Sequence, residues 1–165
     1  MTIFDKRKYF YYKMQNKEEL VKNASKLADL TFTLLGKCQE KETRLADQYG
    51  LTQAEFRCLR LFNAGETLNN KQIAERMSLS PSRLTRIIDG LVKKQYILRE
   101  IDNSDRRNMR VSLSQKGEDI VQLLNKSYLD IHEEILADID DHQHQPLISA
   151  MTNLLSALEK WITKT

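Results

Sequence analysis

A run of hydroxyl and guanidinium side chains between Ser80 and Arg86 has the composition of a surface that contacts nucleic acid. Ser80 followed by Pro81 is typical of a helix start, because serine caps the first turn and proline lacks only an N–H that has no helical partner there. The apolar residues of this helix recur at helical spacing and are expected to face the core: Leu84, Ile87, Ile88, Leu91 and Val92. The opposite face suits the DNA major groove, where arginine pairs with guanine and serine or threonine contacts bases or phosphates. The predicted contact residues in this helix are Ser80, Ser82, Arg83, Thr85 and Arg86.

A second candidate for DNA contact follows this helix. Residues 96–101 and 109–113 alternate apolar and polar side chains, which predicts a β-hairpin with a long hydrophilic tip at 102–108. The tip carries Asp105, Arg106 and Arg107. Adjacent arginines suit a narrow minor groove, whose negative potential attracts guanidinium groups. Asp105 would pair with one arginine and fix its direction, since an unpaired carboxylate would repel the duplex.

A short helix and a turn before the helix at Ser80 complete a known type of DNA-binding module. Asn69 and Gln72 have the spacing of a capping pair for a short helix that ends at Met77, and Ser78-Leu79 forms a turn. A helix, a turn, a second helix and a hairpin together predict a winged helix-turn-helix. The charge distribution agrees, because residues 67–116 hold 11 basic and 5 acidic side chains, whereas residues 117–165 hold 3 and 9.

The flanking segments are predicted to be helical, so the fold class is mainly α with a small β-hairpin wing. Asn16, Thr52 and Ser114 are the predicted starts of three helices, and a last helix is expected to begin near Pro146. The expected organisation is one structural unit with three parts: an N-terminal extension and dimerisation helix (1–50), the winged helix-turn-helix (51–116) and C-terminal dimerisation helices (117–165). The wide apolar stripes of the outer helices predict a homodimer. The helix that starts at Ser80 would be the recognition helix, and two copies of it roughly 34 to 36 Å apart would then read a palindrome in double-stranded DNA.

Composition and motifs argue against other classes of function. The chain is 41% hydrophobic and 30% charged, and no run is apolar enough for a membrane span or a signal peptide, so we expect a cytoplasmic protein without membrane contact. Phosphate-binding loops, nucleophile elbows and paired catalytic carboxylates are missing, which predicts a protein that is not an enzyme and has no cofactor. Cys38 and Cys58 are expected in the core rather than as redox sensors. His142 and His144 are expected in a polar loop, without a metal.

The combination of these motifs resembles the MarR family of transcriptional regulators. The residues that carry the resemblance are residues 51–56, the run from Gln72 to Arg86, and Asp105-Arg106-Arg107 followed by residues 111–117. The resemblance implies a homodimer that represses genes until a small molecule, an oxidant or a metal releases it from DNA. It also implies that Arg107 enters the minor groove with Asp105 as its partner, while Arg106 lies nearer the backbone.

Two positions depart from the usual helix and family patterns in their use of glycine. The family commonly has glycine where Gln95 stands. If the backbone there is left-handed, glutamine in place of glycine costs on the order of 1 kcal/mol. Gly90 lies inside the recognition helix at a similar cost of about 1 kcal/mol relative to alanine.

The alternative interpretation is a winged-helix protein-interaction or scaffold module without specific DNA binding, since a fold does not by itself determine function. Loss of Arg83, Arg86 or Arg107 would weaken a DNA-binding regulator but would remove nothing specific from a scaffold.

Overall fold

The computed structural model describes residues 3–63, 65–101 and 109–164, and the side chains of residues 17–63, 65–100 and 109–164. Over these ranges the chain is mainly helical, with six helices and a small three-stranded antiparallel sheet. In chain order the elements are α1 (Ile3–Gln48), α2 (Gln53–Leu59), β1 (Thr67–Asn69), α3 (Asn70–Met77), α4 (Pro81–Lys93), β2 (Ile97–Ile101), β3 (Met109–Leu113), α5 (Gln115–Ala137) and α6 (Asp141–Ile162). The predicted fold class is confirmed.

The chain divides into two compact units, residues 1–53 and 54–165. The first unit is mostly the 46-residue helix α1, which begins at Ile3. The prediction that a helix starts at Asn16 is therefore wrong, because the backbone passes through that residue without interruption. Asparagine costs only a few tenths of a kcal/mol to about 0.7 kcal/mol inside a helix, so a capping pattern alone does not end one.

The second unit holds the winged helix-turn-helix and the two C-terminal helices. Its sheet has the strand order β1-β3-β2, with Leu68 and Arg99 opposite Val111 on either side of the central strand. The two hairpin strands were predicted, whereas β1 was not, because three residues are too few for an alternation signal. The buried apolar side chains of this unit are Phe56, Cys58, Leu59, Phe62, Leu68, Ile73, Leu84, Ile88, Leu91, Ile97, Val111, Val121 and Leu124.

The corner between α5 and α6 differs from its prediction. α6 begins at Asp141 rather than near Pro146, which lies inside the helix. His142 and His144, predicted in a loop, therefore belong to the start of α6. The Nε2 atom of His144 lies 2.9 Å from the carbonyl oxygens of both Leu136 and Ile139, so it holds the helix start against the end of α5. Proline has a helical φ, which lets the helix continue at the loss of one backbone hydrogen bond.

No helix in the described ranges is both long and apolar enough to cross a lipid bilayer.

Candidate nucleic-acid interface

The helix-turn-helix is fixed by local hydrogen bonds that the sequence encodes. Asn69 Oδ1 accepts from the backbone N–H of Gln72 at 2.9 Å, and Gln72 Oε1 accepts from the backbone N–H of Asn69 at 2.8 Å. This reciprocal capping box confirms the predicted start of α3. At the other end Ser78 adopts a left-handed conformation with φ of 53°, and Leu79 N–H donates to the Ala74 carbonyl at 3.0 Å. The resulting turn sets the direction of α4.

The start of α4 was predicted correctly, but its cap was not. Ser80 occupies the N-cap position and Pro81 the first helical position. The Ser80 hydroxyl, however, accepts no backbone N–H of the first turn, and its Oγ lies 3.4 Å from the Oγ of Ser82. Proline at the first position already supplies a helical φ, so the helix starts without a side-chain cap. Both hydroxyls belong to exposed residues at the N-terminal end of α4.

The outer face of α4 presents the predicted side chains to solvent. Ser82, Arg83, Thr85 and Arg86 are all exposed, whereas Leu84, Ile88 and Leu91 on the inner face are fully buried. In the part of the chain that the structure describes, neither arginine pairs with a carboxylate. Thr85 donates its hydroxyl to the Pro81 carbonyl at 3.0 Å, which leaves its methyl group and oxygen lone pairs available to a partner.

Val92, predicted in the core, is 37% exposed. It is the last apolar residue of the α4 stripe, one turn beyond fully buried Ile88, where α4 is about to end at Lys93.

A buried ion pair explains the glycine inside the recognition helix. Glu55 of α2 is only 6% exposed, and its Oε2 accepts from Lys94 Nζ at 2.7 Å. A Cβ at position 90 would lie 2.7 Å from Glu55 Oε1, which is closer than Cβ atoms are found in proteins. Gly90 therefore lets α4 pack directly on the Glu55 carboxylate. The sequence did not indicate this role of Glu55, because nothing in the neighbouring residues shows that a glutamate is buried.

The residues after α4 connect it to the start of α5. Gln95 has φ of 65°, so the backbone at this position is left-handed and the cost of a residue other than glycine applies. The Ser114 hydroxyl donates to the Gln95 carbonyl at 2.6 Å and accepts from Gly117 N–H at 3.0 Å. A Cβ on Gly117 would lie 1.9 Å from the Tyr96 carbonyl oxygen, so only glycine fits. These contacts hold the end of the recognition helix against the first turn of α5.

The wing tip, with Asp105, Arg106 and Arg107, lies outside the described residues. The strands on either side, β2 and β3, end and begin where the alternation predicts, at Ile101 and Met109.

The cysteines and histidines in the described ranges form neither a reactive thiol site nor a metal site. Cys58 is buried, and burial together with the Glu55 charge raises the pKa of its thiol to about 12. Cys38, also predicted in the core, is exposed on α1, so that prediction is wrong. His132 is half-buried and bonds the Tyr128 carbonyl through Nδ1 at 2.6 Å. No group of three or more His, Cys, Asp or Glu side chains in the described ranges is placed to hold a metal ion.

Comparison with known proteins agrees with this geometry. The MarR family model matches residues 51–109, which run from just before α2 to the first residue of β3. The HTH-type transcriptional regulator SarZ of Staphylococcus epidermidis is 30% identical over 125 residues, which cover 76% of this chain and 78% of SarZ. This chain belongs to the MarR family. It is thus a winged helix-turn-helix, DNA-binding transcriptional regulator and not an enzyme.

Other members of the family extend the comparison. SarZ of Staphylococcus aureus is 28% identical over 117 residues, covering 71% of this chain and 78% of that protein. Among solved structures, a MarR variant from E. coli superposes with a TM-score of 0.70 at 21% identity, covering 78% of this chain and 96% of MarR. The S. aureus MepR–DNA complex gives a TM-score of 0.63 at 18% identity, with coverages of 78% and 95%. Both solved structures share the fold of this chain.

Proposed function

We propose that this MarR-family regulator acts as a homodimeric repressor that reads a palindromic operator and leaves it when a signal binds. The observation that carries the proposal is the outer face of α4, where Arg83 and Arg86 are exposed and have no carboxylate partner among the described residues. Guanidinium groups held on a rigid helix can pair with guanine in the major groove. MepR of S. aureus, which shares the fold of this chain, was solved as a complex with DNA, and this supports a DNA-binding role for the fold.

The contacts divide between two grooves. Ser80, Ser82, Thr85 and the two arginines of α4 would contact the major groove. We propose that Asp105, Arg106 and Arg107 at the wing tip contact the adjacent minor groove and its phosphates. One short helix specifies few base pairs, so specific binding needs a second helix about 34 to 36 Å away, one turn along the duplex.

Exposed apolar side chains on the terminal helices support the homodimer. On α1, Leu20, Leu27 and Phe32 are 68%, 46% and 81% exposed in the single chain. On α6 the exposed apolar side chains are Leu147, Ile148, Met151, Leu154, Leu155, Leu158, Trp161 and Ile162. Apolar surface of this extent is rarely left open in a monomer. A second copy of the chain is the partner that would also provide the second recognition helix.

Release from DNA would follow from a change in the spacing of the two recognition helices. A small-molecule effector that binds the mismatched spacing only about 100-fold better, roughly 2.7 kcal/mol, would shift a balanced equilibrium decisively.

The experiment that tests the proposed function is selection of bound sequences from random duplex DNA, followed by affinity measurement on the selected site at two salt concentrations. The Arg83→Ala/Arg86→Ala variant should bind the selected site at least 10-fold more weakly, since each bidentate base contact is worth about 1–3 kcal/mol. A matched control, Lys126→Ala/Lys164→Ala, removes the same charge from exposed positions of the C-terminal part and should change affinity much less. Equal losses in both variants, or no enriched palindrome, would contradict specific reading by α4.

The dimer has a separate test. Leu155→Glu places a charge on the exposed apolar face of α6 and should convert a dimer into monomers in sedimentation velocity, with loss of palindrome binding. A wild-type monomer that still selects a palindrome would contradict the proposed assembly.

A further inference from the structure

A carboxylate lies on the same face of α4 as the proposed base-reading residues. Asp89 follows Ser82, Thr85 and Arg86 by seven, four and three residues, so all four share one helical stripe. The side chain of Asp89 is 57% exposed. A negative charge at this place would repel the phosphates of a duplex that α4 enters.

The structure supplies a counter-charge from the wing. Arg99 of β2 donates from Nη2 to Asp89 Oδ1 at 2.8 Å. This contact joins the recognition helix to the base of the wing across ten residues of sequence. It also brings a β2 side chain onto the DNA-facing stripe of α4.

Packing in the sheet fixes the direction of the Arg99 side chain. Arg99 stands opposite Val111, which is fully buried at the centre of the sheet, and its side chain is only 27% exposed. Its Nε atom is buried and has no hydrogen-bond partner within the described ranges. The Nε side of the guanidinium is therefore packed inside the protein and cannot contact a phosphate. Its Nη2 atom bonds to Asp89.

We propose that the Asp89–Arg99 ion pair positions the module for DNA binding. Arg99 neutralises a carboxylate that would otherwise oppose the duplex, and the bond keeps β2 at a fixed distance from α4. The wing and the recognition helix then approach neighbouring grooves together. Arg99 is in this sense a positioning residue that acts through Asp89. The inference rests on the proposed function, because it assumes that the outer face of α4 meets DNA.

The test is a double-mutant cycle measured as affinity for the selected operator. Arg99→Met keeps the apolar stem but leaves Asp89 uncompensated, and it should weaken binding about 10-fold, equivalent to about 1.4 kcal/mol. Asp89→Asn removes a negative charge but also removes the bond that fixes β2 against α4. The two effects oppose each other, so the affinity of this variant should not exceed that of the wild type. In the double variant R99M/D89N, affinity should return to within about 3-fold of D89N alone.

Arg110 provides the matched control. It is an exposed arginine on β3 and stands opposite Glu100 in the sheet rather than against α4. R110M makes the same change of charge as R99M, and its effect should simply add to that of D89N. Thermal unfolding of each variant identifies losses that come from misfolding. If R99M does not fold, Arg99→Lys takes its place and should bind within about 3-fold of the wild type, because the charge opposite Asp89 is kept.

The outcomes separate this inference from the proposed function. If the wild type binds the operator but R99M/D89N is as weak as R99M, Arg99 acts independently of Asp89 and the inference is overturned. A gain in affinity for D89N alone, or a loss of 10-fold or more for R99K, overturns it as well. A wild type that selects no DNA overturns the proposed function, and the inference with it.

Discussion

Substitution of Gly90 by alanine tests how the recognition helix is held. Alanine inside a helix normally stabilises by about 1 kcal/mol relative to glycine. Here the new Cβ would lie 2.7 Å from Glu55 Oε1, well short of the 3.4 Å at which ordinary contact begins. Glu55 cannot easily move, because it is 6% exposed and bonded to Lys94 at 2.7 Å. Overpacking of this kind costs about 1–3 kcal/mol. The net expectation is a loss of about 1 kcal/mol in the free energy of unfolding.

Urea unfolding at one fixed protein concentration measures this effect, with Gly36→Ala as the control. Gly36 lies in α1, and no neighbouring atom comes within 4 Å of the place that an alanine Cβ would occupy, so alanine there should stabilise by about 1 kcal/mol. In a Glu55→Ala background the obstruction is gone, and G90A should also stabilise. The two backgrounds should therefore differ by about 2 kcal/mol in the effect of G90A. Equal stabilisation by G90A in both backgrounds would refute the packing argument.

Three further predictions concern the backbone, pH and thiols. Gln95→Gly should raise the free energy of unfolding by about 1 kcal/mol, since glycine adopts the observed φ of 65° without strain, and an unchanged urea midpoint would contradict this. Hydrogen bonds from Arg76 and Asn63 hold the pKa of Glu66 below its ordinary value of 4.5. The resulting stabilisation is present above pH 4.5 and is lost as pH falls through the lowered pKa, so Glu66→Gln should flatten the acid side of the stability profile. Cys58, with a pKa of about 12, should react with a thiol reagent in the Cys38→Ser variant only on unfolding; fast reaction at about pH 8 would contradict its burial.

The parts of the fold that sequence predicts well are those decided by neighbouring residues. The capping box of Asn69 and Gln72 and the proline start of α4 each depend on interactions within a few residues of the chain. The exposed face of α4 could be predicted for the same reason, because helical periodicity assigns each side chain to a face. This face carries the proposed DNA contacts, so most residues of the candidate site on α4 could be predicted from the sequence.

The features that sequence missed depend on distant partners. Strand β1 is only three residues long and is defined by its pairing with β3, more than 40 positions further along the chain. Glu55 and Asp89 look like ordinary charged helix residues, and only their contacts with Lys94 and Arg99 show what they do. The start of α6 was misplaced at Pro146, because the bonds from His144 to the end of α5 outweigh the local preference of proline for a first turn.

The most direct test of the central claim, that α4 reads bases, is the base preference at every position of the selected site for the wild type and for Arg86→Ala. We predict that the variant loses discrimination at one or two positions, placed symmetrically in the two half-sites, and keeps the wild-type preference elsewhere. Weakening that is uniform across all sequences would mean that Arg86 contacts only phosphates, and an unchanged preference profile at unchanged affinity would contradict reading by this helix.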